Sequence, residues 1–121
     1  AETILLVEDD GLVRTAIAES LQAHGYKVLE AANGDDAIRI CEEFGEGIDL
    51  LMTDMIMPGI NGRELADRIT AAHCGIKVFF MSGYTDGGIT VNDLSDPSVV
   101  FLQKPFRLAP LLRKVRDVLS A

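Results

Sequence analysis

The sequence predicts an α/β fold: a parallel sheet with helices packed on both faces. Short apolar runs alternate with stretches of helical period along 121 residues, a length that holds a single core. The runs are unbroken rather than alternating, as strands buried on both faces require. The β-α alternation repeats five times, which implies right-handed crossovers between parallel neighbours.

The first strand is expected at Ile4 to Val7. Asp10, just before Gly11-Leu12-Val13, reads as the N-cap of a helix and not as a metal ligand. That helix places Val13, Ala16, Ile17 and Leu21 on one face and stops at His24-Gly25. Val28-Leu29 marks the second strand, and Asn33 with Asp35 and Asp36 opens a second helix carrying Ala37, Ile38, Cys41 and Phe44 on its apolar face. The third strand is expected at Ile48 to Met52. Asn61, three residues before Glu64, has capping-box spacing for a third helix with Leu65, Ala66 and Ile69 inward. The fourth strand is expected at Ile76 to Met81 and the fifth at Val99 to Leu102. Between them, Gly83 to Ser98 holds Gly87-Gly88 and Pro97 and few apolar residues, so a short or irregular helix is expected there. Pro110 fits only the first turn of a helix, so the last helix starts near Leu108 and buries Leu111, Leu112, Val115 and Leu119.

Composition narrows the function. Asp and Glu number 19 against 11 Lys and Arg, a net charge of −8 with no basic run, so direct nucleic-acid binding is not expected. The apolar runs are too short to span a membrane, no signal peptide is visible, and no membrane contact is expected. The two cysteines, Cys41 and Cys74, match neither a disulfide scaffold nor a zinc site, so a reduced cytoplasmic location is the default. Cys41 reads as buried and inert and Cys74 as a loop thiol, while Met52, Met55, Met57 and Met81 read as packing residues and His24 and His73 as surface residues.

In an open α/β sheet, ligands bind beyond the carboxyl ends of the strands. Glu8, Asp9 and Asp10 follow the first strand, Thr53-Asp54 the third, Ser82-Gly83 the fourth and Gln103-Lys104 the fifth. Several carboxylates, a hydroxyl and an ammonium therefore converge on one edge. Glu8, Asp9 and Asp54 carry −3 and Lys104 returns +1, an imbalance that a divalent cation corrects. Oxygen donors without His or Cys select a hard ion, Mg²⁺ or alternatively Mn²⁺. With the ion present, an anionic phosphoryl group can enter; without it, the acids repel one.

The motifs ILLVEDD (4–10), LLMTDMIMPGING (50–62), FFMSGYTD (79–86) and FLQKPF (101–106), in this order, are those of response-regulator receiver domains of two-component signalling, and the chain resembles that family along essentially its whole length. The resemblance implies a flavodoxin-like (βα)5 three-layer sandwich with a five-stranded parallel sheet in the order 2-1-3-4-5, and one receiver domain over 1–121. It implies that Asp54 is the phosphoacceptor and that Glu8, Asp9, Asp54 and the backbone carbonyl of Ile56 hold Mg²⁺. It further implies that Lys104 contacts a phosphoryl oxygen, that Ser82 is the switch hydroxyl, and that Phe101 is the aromatic switch partner, a position that reads equally as plain core. The expected partner is a histidine kinase or a histidine phosphotransfer protein or domain, with room for a weak homodimer. The MSGYTD and FLQKPF wording resembles the C-terminal receivers of hybrid sensor histidine kinases; a free-standing regulator acting as a phosphate shuttle or sink is the alternative.

The chain departs from the family in two ways. The glycine-rich stretch after the fourth strand puts a surface built on that helix in doubt. Ile56 and Tyr84 flank the acceptor where polar residues can guide a water, which implies slow hydrolysis of the acyl phosphate. Two other chemistries fit less well. An aspartyl-nucleophile phosphatase of the haloacid-dehalogenase type needs an Asp at position 56, where Ile stands. A flavin carrier of the same layered fold needs a phosphate loop where Glu8-Asp9-Asp10 would repel the ligand.

Overall fold

A computed structural model describes residues 2–55, 57–73, 75–83, 99–104 and 108–120, with backbone only at 82, 83 and 99–104. Five parallel strands, β1 (Thr3–Val7), β2 (Lys27–Ala31), β3 (Leu50–Asp54), β4 (Lys77–Gly83) and β5 (Val99–Lys104), lie in the order β2-β1-β3-β4-β5. The helices are α1 (Gly11–Ala23), α2 (Gly34–Phe44), α3 (Gly62–Ala72) and the C-terminal α4 (Leu108–Ser120). The helix expected between β4 and β5 falls outside the described residues, as does Cys74.

The alternating pleat of the strands divides the interior in two. Leu5, Val7, Leu51 and Phe80 face one way and meet Ala37 and Cys41 of α2 and Leu65, Ala66 and Ile69 of α3. Ile4, Leu6, Leu50, Met52, Phe79 and Met81 face the other way and meet Ile17, Ala18 and Leu21 of α1 and Leu111 and Val115 of α4. Strand positions buried on both faces explain the unbroken apolar runs. The four methionines are all buried packing residues. Cys41 is buried, and desolvation pushes its thiol pKa up, which keeps it in the unreactive neutral form. His24 is exposed, whereas His73 is half-buried at the end of α3.

The capping residues sit where local chemistry puts them. Asp10 Oδ1 accepts from the Leu12 and Val13 amides, Asn33 Oδ1 from Asp36, and Asn61 Oδ1 from Glu64. The first helix ends at His24, with Gly25 at φ 90°, a value glycine adopts without strain. Asp10→Ala is expected to destabilise the fold by about 1 kcal/mol, seen as a lower urea midpoint.

The strand bounds differ from the apolar runs: β1 and β2 begin one residue earlier, β3 and β4 begin later, and every strand but β1 ends beyond its run. Ile48 is buried but precedes β3, because Asp49 turns both its amide and its carboxylate to Thr3, at 2.8 Å each. At the other end, β3, β4 and β5 run on through polar residues to Asp54, Gly83 and Lys104. Ladder pairing follows backbone bonds and not apolarity, so at β3, β4 and β5 the edge expected to carry the chemistry is built of strand, while Glu8 and Asp9 follow the end of β1.

Candidate functional site

Strand register dictates the acid cluster. Val7 pairs with Thr53 across the β1–β3 ladder, so the next residues, Glu8 and Asp54, emerge side by side. On the other side, the Glu8 amide extends the β1–β2 ladder by one bond, to the Ala31 carbonyl at 3.1 Å. Glu8 and Asp54 are buried, 1% and 3% exposed, while Asp9 is exposed. Each of the three offers a carboxylate oxygen, and these oxygens lie within 4.8 Å of one another. At that spacing two like charges repel by roughly 3 kcal/mol at an effective dielectric of about 20. Two buried acids and one exposed acid thus form a crevice open on one side, with charge that a cation relieves. The donors are all oxygen, with no His or Cys in the cluster, which suits a hard divalent ion such as Mg²⁺ and not zinc.

The segment after Asp54 is clamped. The Met55 amide donates to the Met81 carbonyl at 2.9 Å and the Gly62 amide to the Met55 carbonyl at 2.7 Å. The buried Thr53 hydroxyl donates to the Asp54 carbonyl at 3.0 Å. Pro58-Gly59, with Gly59 at φ 82°, turns the chain back toward α3. The first residue of that helix, Gly62, comes so close that a Cβ on it would stand 2.0 Å from the Asp54 carbonyl oxygen. Ile60 then fills the space over Gly34 at the start of α2.

A family description, response regulator receiver domain, matches residues 4–116. The chain belongs to the response regulator receiver family. It is 39% identical to the sensor kinase CckA of Brucella abortus over 118 residues, 98% of this chain and 12% of the kinase. It is 33% identical to the response regulator receiver protein CpdR of the same organism, covering 98% of this chain and 97% of CpdR. The crystal structure of the receiver domain from the hybrid histidine kinase CckA superposes with a TM-score of 0.81 at 38% identity, covering 97% of this chain and 98% of that one. The chain spans only a small part of the sensor kinase and nearly all of CpdR. This is a receiver of two-component signalling, homologous to those of CckA and CpdR, and its acidic cluster fits the phosphoacceptor role.

Of the residues expected at the receiver's site, Glu8, Asp9 and Asp54 come together. Asp10 is the α1 cap, as expected. The backbone of Ser82 and Lys104 lies at the carboxyl ends of β4 and β5, where Ser82 pairs with Gln103 and Gly83 with Lys104. Phe101 pairs with Phe80 in the same ladder. The side chains of Ser82, Phe101 and Lys104 fall outside the described residues, and so does Ile56. Two contributors went unnoticed in the sequence. Gly62 carried one faint signal, a poor helix former in a first turn, whereas Arg14, whose guanidinium reaches back to the Glu8 carbonyl, carried none. Among the described residues, no helix is long and apolar enough to cross a membrane.

Proposed function

We propose that this receiver takes a phosphoryl group from a phosphohistidine of a histidine kinase or a histidine phosphotransfer domain onto Asp54, and that the domain spans 1–121. The observation that supports this most is the convergence of Glu8, Asp9 and Asp54 oxygens within 4.8 Å, with one acid exposed and two buried. In the step, an Asp54 carboxylate oxygen attacks phosphorus, the O–P bond forms as the histidine N–P bond breaks, and the departing imidazole takes up a proton. Glu8, Asp9 and Asp54, with the backbone carbonyl of Ile56 as the resemblance implies, would hold Mg²⁺, and Mn²⁺ could replace it. When bound, the ion supplies the positive charge that lets an anionic phosphoryl group approach a carboxylate.

In the same reading, Lys104 contacts a phosphoryl oxygen, and Ser82 and Phe101 move together as the switch, shifting a population between two states. Ile56 and Tyr84, both outside the described residues, stand in the sequence where the family resemblance implies water-guiding positions, and in this reading their bulk makes hydrolysis of the acyl phosphate slow. The host is a hybrid sensor histidine kinase, supported by the 39% identity to CckA; the likeness to CpdR favours the second reading, a free-standing regulator. The domain works in the cytoplasm without binding nucleic acid or membrane, and any homodimer is weak.

Incubation with acetyl phosphate and Mg²⁺, followed by intact-mass measurement, tests the reading. One phosphoryl adduct is expected, lost when EDTA is added before the donor. Equal labelling with the ion chelated would remove the cation from the reaction.

A further inference from the structure

Arg14 is not among the groups that phosphoryl transfer uses, yet it touches the crevice's framework. From the first turns of α1 its side chain reaches back across the β1–α1 connection. Its Nη1 donates to the Glu8 carbonyl oxygen at 2.8 Å, and its Nε lies 3.5 Å from Glu30 Oε1. Glu30 is the residue before Ala31, the same residue whose carbonyl receives the Glu8 amide. The guanidinium therefore bridges the end of β2 to the peptide that joins Glu8 to Asp9. The Arg14 side chain is 23% exposed and that of Glu30 42%, so the Glu8 end of the bridge is partly sheltered while the Glu30 end meets water. From the other side, the Asp10 amide donates to Glu8 Oε1 at 3.1 Å. The Asp10 side chain is meanwhile committed to capping α1.

We propose that Arg14 is a positioning residue for divalent-cation binding: its planar fork ties the Glu8 carbonyl to Glu30 and so holds the Glu8–Asp9 peptide where both carboxylates meet Asp54. This rests on the cation site proposed above. A hydrogen bond from Nη1 and an ion pair at Nε, made in fixed and different directions, are a guanidinium property that an ammonium does not reproduce. Outer partners that orient metal-holding groups commonly govern affinity in this way.

Charge alone predicts the opposite sign. A guanidinium bonded to the Glu8 carbonyl adds positive charge near the cation site, so on electrostatic grounds its removal tightens binding. Mg²⁺ titration, followed by the backbone amide signals of residues 8–11 and 54, separates the two. Arg14→Met, which keeps the aliphatic stem, is expected to bind Mg²⁺ roughly tenfold more weakly than wild type. The metal-free variant is also expected to show faster amide exchange at Asp9. Unchanged or tighter binding overturns the inference. Arg14→Lys keeps the charge and the fold while losing the fork; it too is expected to bind more weakly, and wild-type affinity in this variant counts against positioning even if Arg14→Met does not fold. Failure of the wild-type chain to bind Mg²⁺ overturns the cation site and this inference together, whereas intact wild-type binding with unaltered variants overturns only the role of Arg14.

Discussion

Asp54→Asn is expected to leave the receiver folded and unable to accept a phosphoryl group. The substitution keeps the size and shape of a side chain that is 3% exposed at the end of β3, so packing is preserved. It replaces a carboxylate nucleophile by a neutral amide, whose oxygen does not form a comparable bond to phosphorus. It also removes one of three negative charges whose oxygens lie within 4.8 Å, so the metal-free variant should melt no lower than wild type. With acetyl phosphate and Mg²⁺, mass measurement should find no adduct. An adduct on the variant would move the acceptor role to another carboxylate, with Glu8 and Asp9 next to be examined.

Gly62→Ala is expected to reverse a general rule. Within a helix, Ala is favoured over Gly by about 1 kcal/mol, so an ordinary Gly→Ala substitution in α3 would stabilise. At Gly62 the added methyl would sit 2.0 Å from the Asp54 carbonyl oxygen and 2.9 Å from Met55 Cα, both backbone atoms in a clamped segment. Neither can rotate away as a side chain could, so the start of α3 must lift or the end of β3 must bend. The expected cost is about 1–3 kcal/mol, read as a fall in the urea midpoint. The displacement reaches Asp54, the proposed acceptor, so labelling by acetyl phosphate should fall as well. A variant as stable as wild type, or more so, would show that the approach of α3 to β3 is loose.

The contrast between these two positions shows what the sequence could disclose. Asp54 was legible because it ends an apolar run in a chain whose strands are parallel, and parallel strands put their carboxyl ends on one edge. Asp10, Asn33 and Asn61 were legible because a cap bonds to amides two or three residues away and needs no partner from elsewhere. Gly62 was not, since its requirement comes from the backbone of Asp54 and Met55 across a turn. Arg14 was not, because one of its contacts, Glu30, lies on another strand and nothing in α1 itself calls for it. Strand limits blurred for a related reason: Ile48 is apolar because it is buried, while Thr53 and Asp54 are in the ladder although they are polar.

The parallel register has a kinetic consequence. Thr3 pairs with Lys27, Ile4 with Leu50, and Leu50 with Lys77, so no strand finds its neighbour within a hairpin. Each pairing must close a long stretch of chain before any contact rewards it, which makes such sheets slow to form. During synthesis, Glu8 and Asp9 leave the ribosome well ahead of Asp54 and remain ordinary solvated acids until the third strand docks. The unfolded chain does not hold these three acids together, so on the proposed cation site a divalent ion is expected to act as a thermodynamic latch on the finished sheet, raising the melting temperature with the logarithm of its concentration.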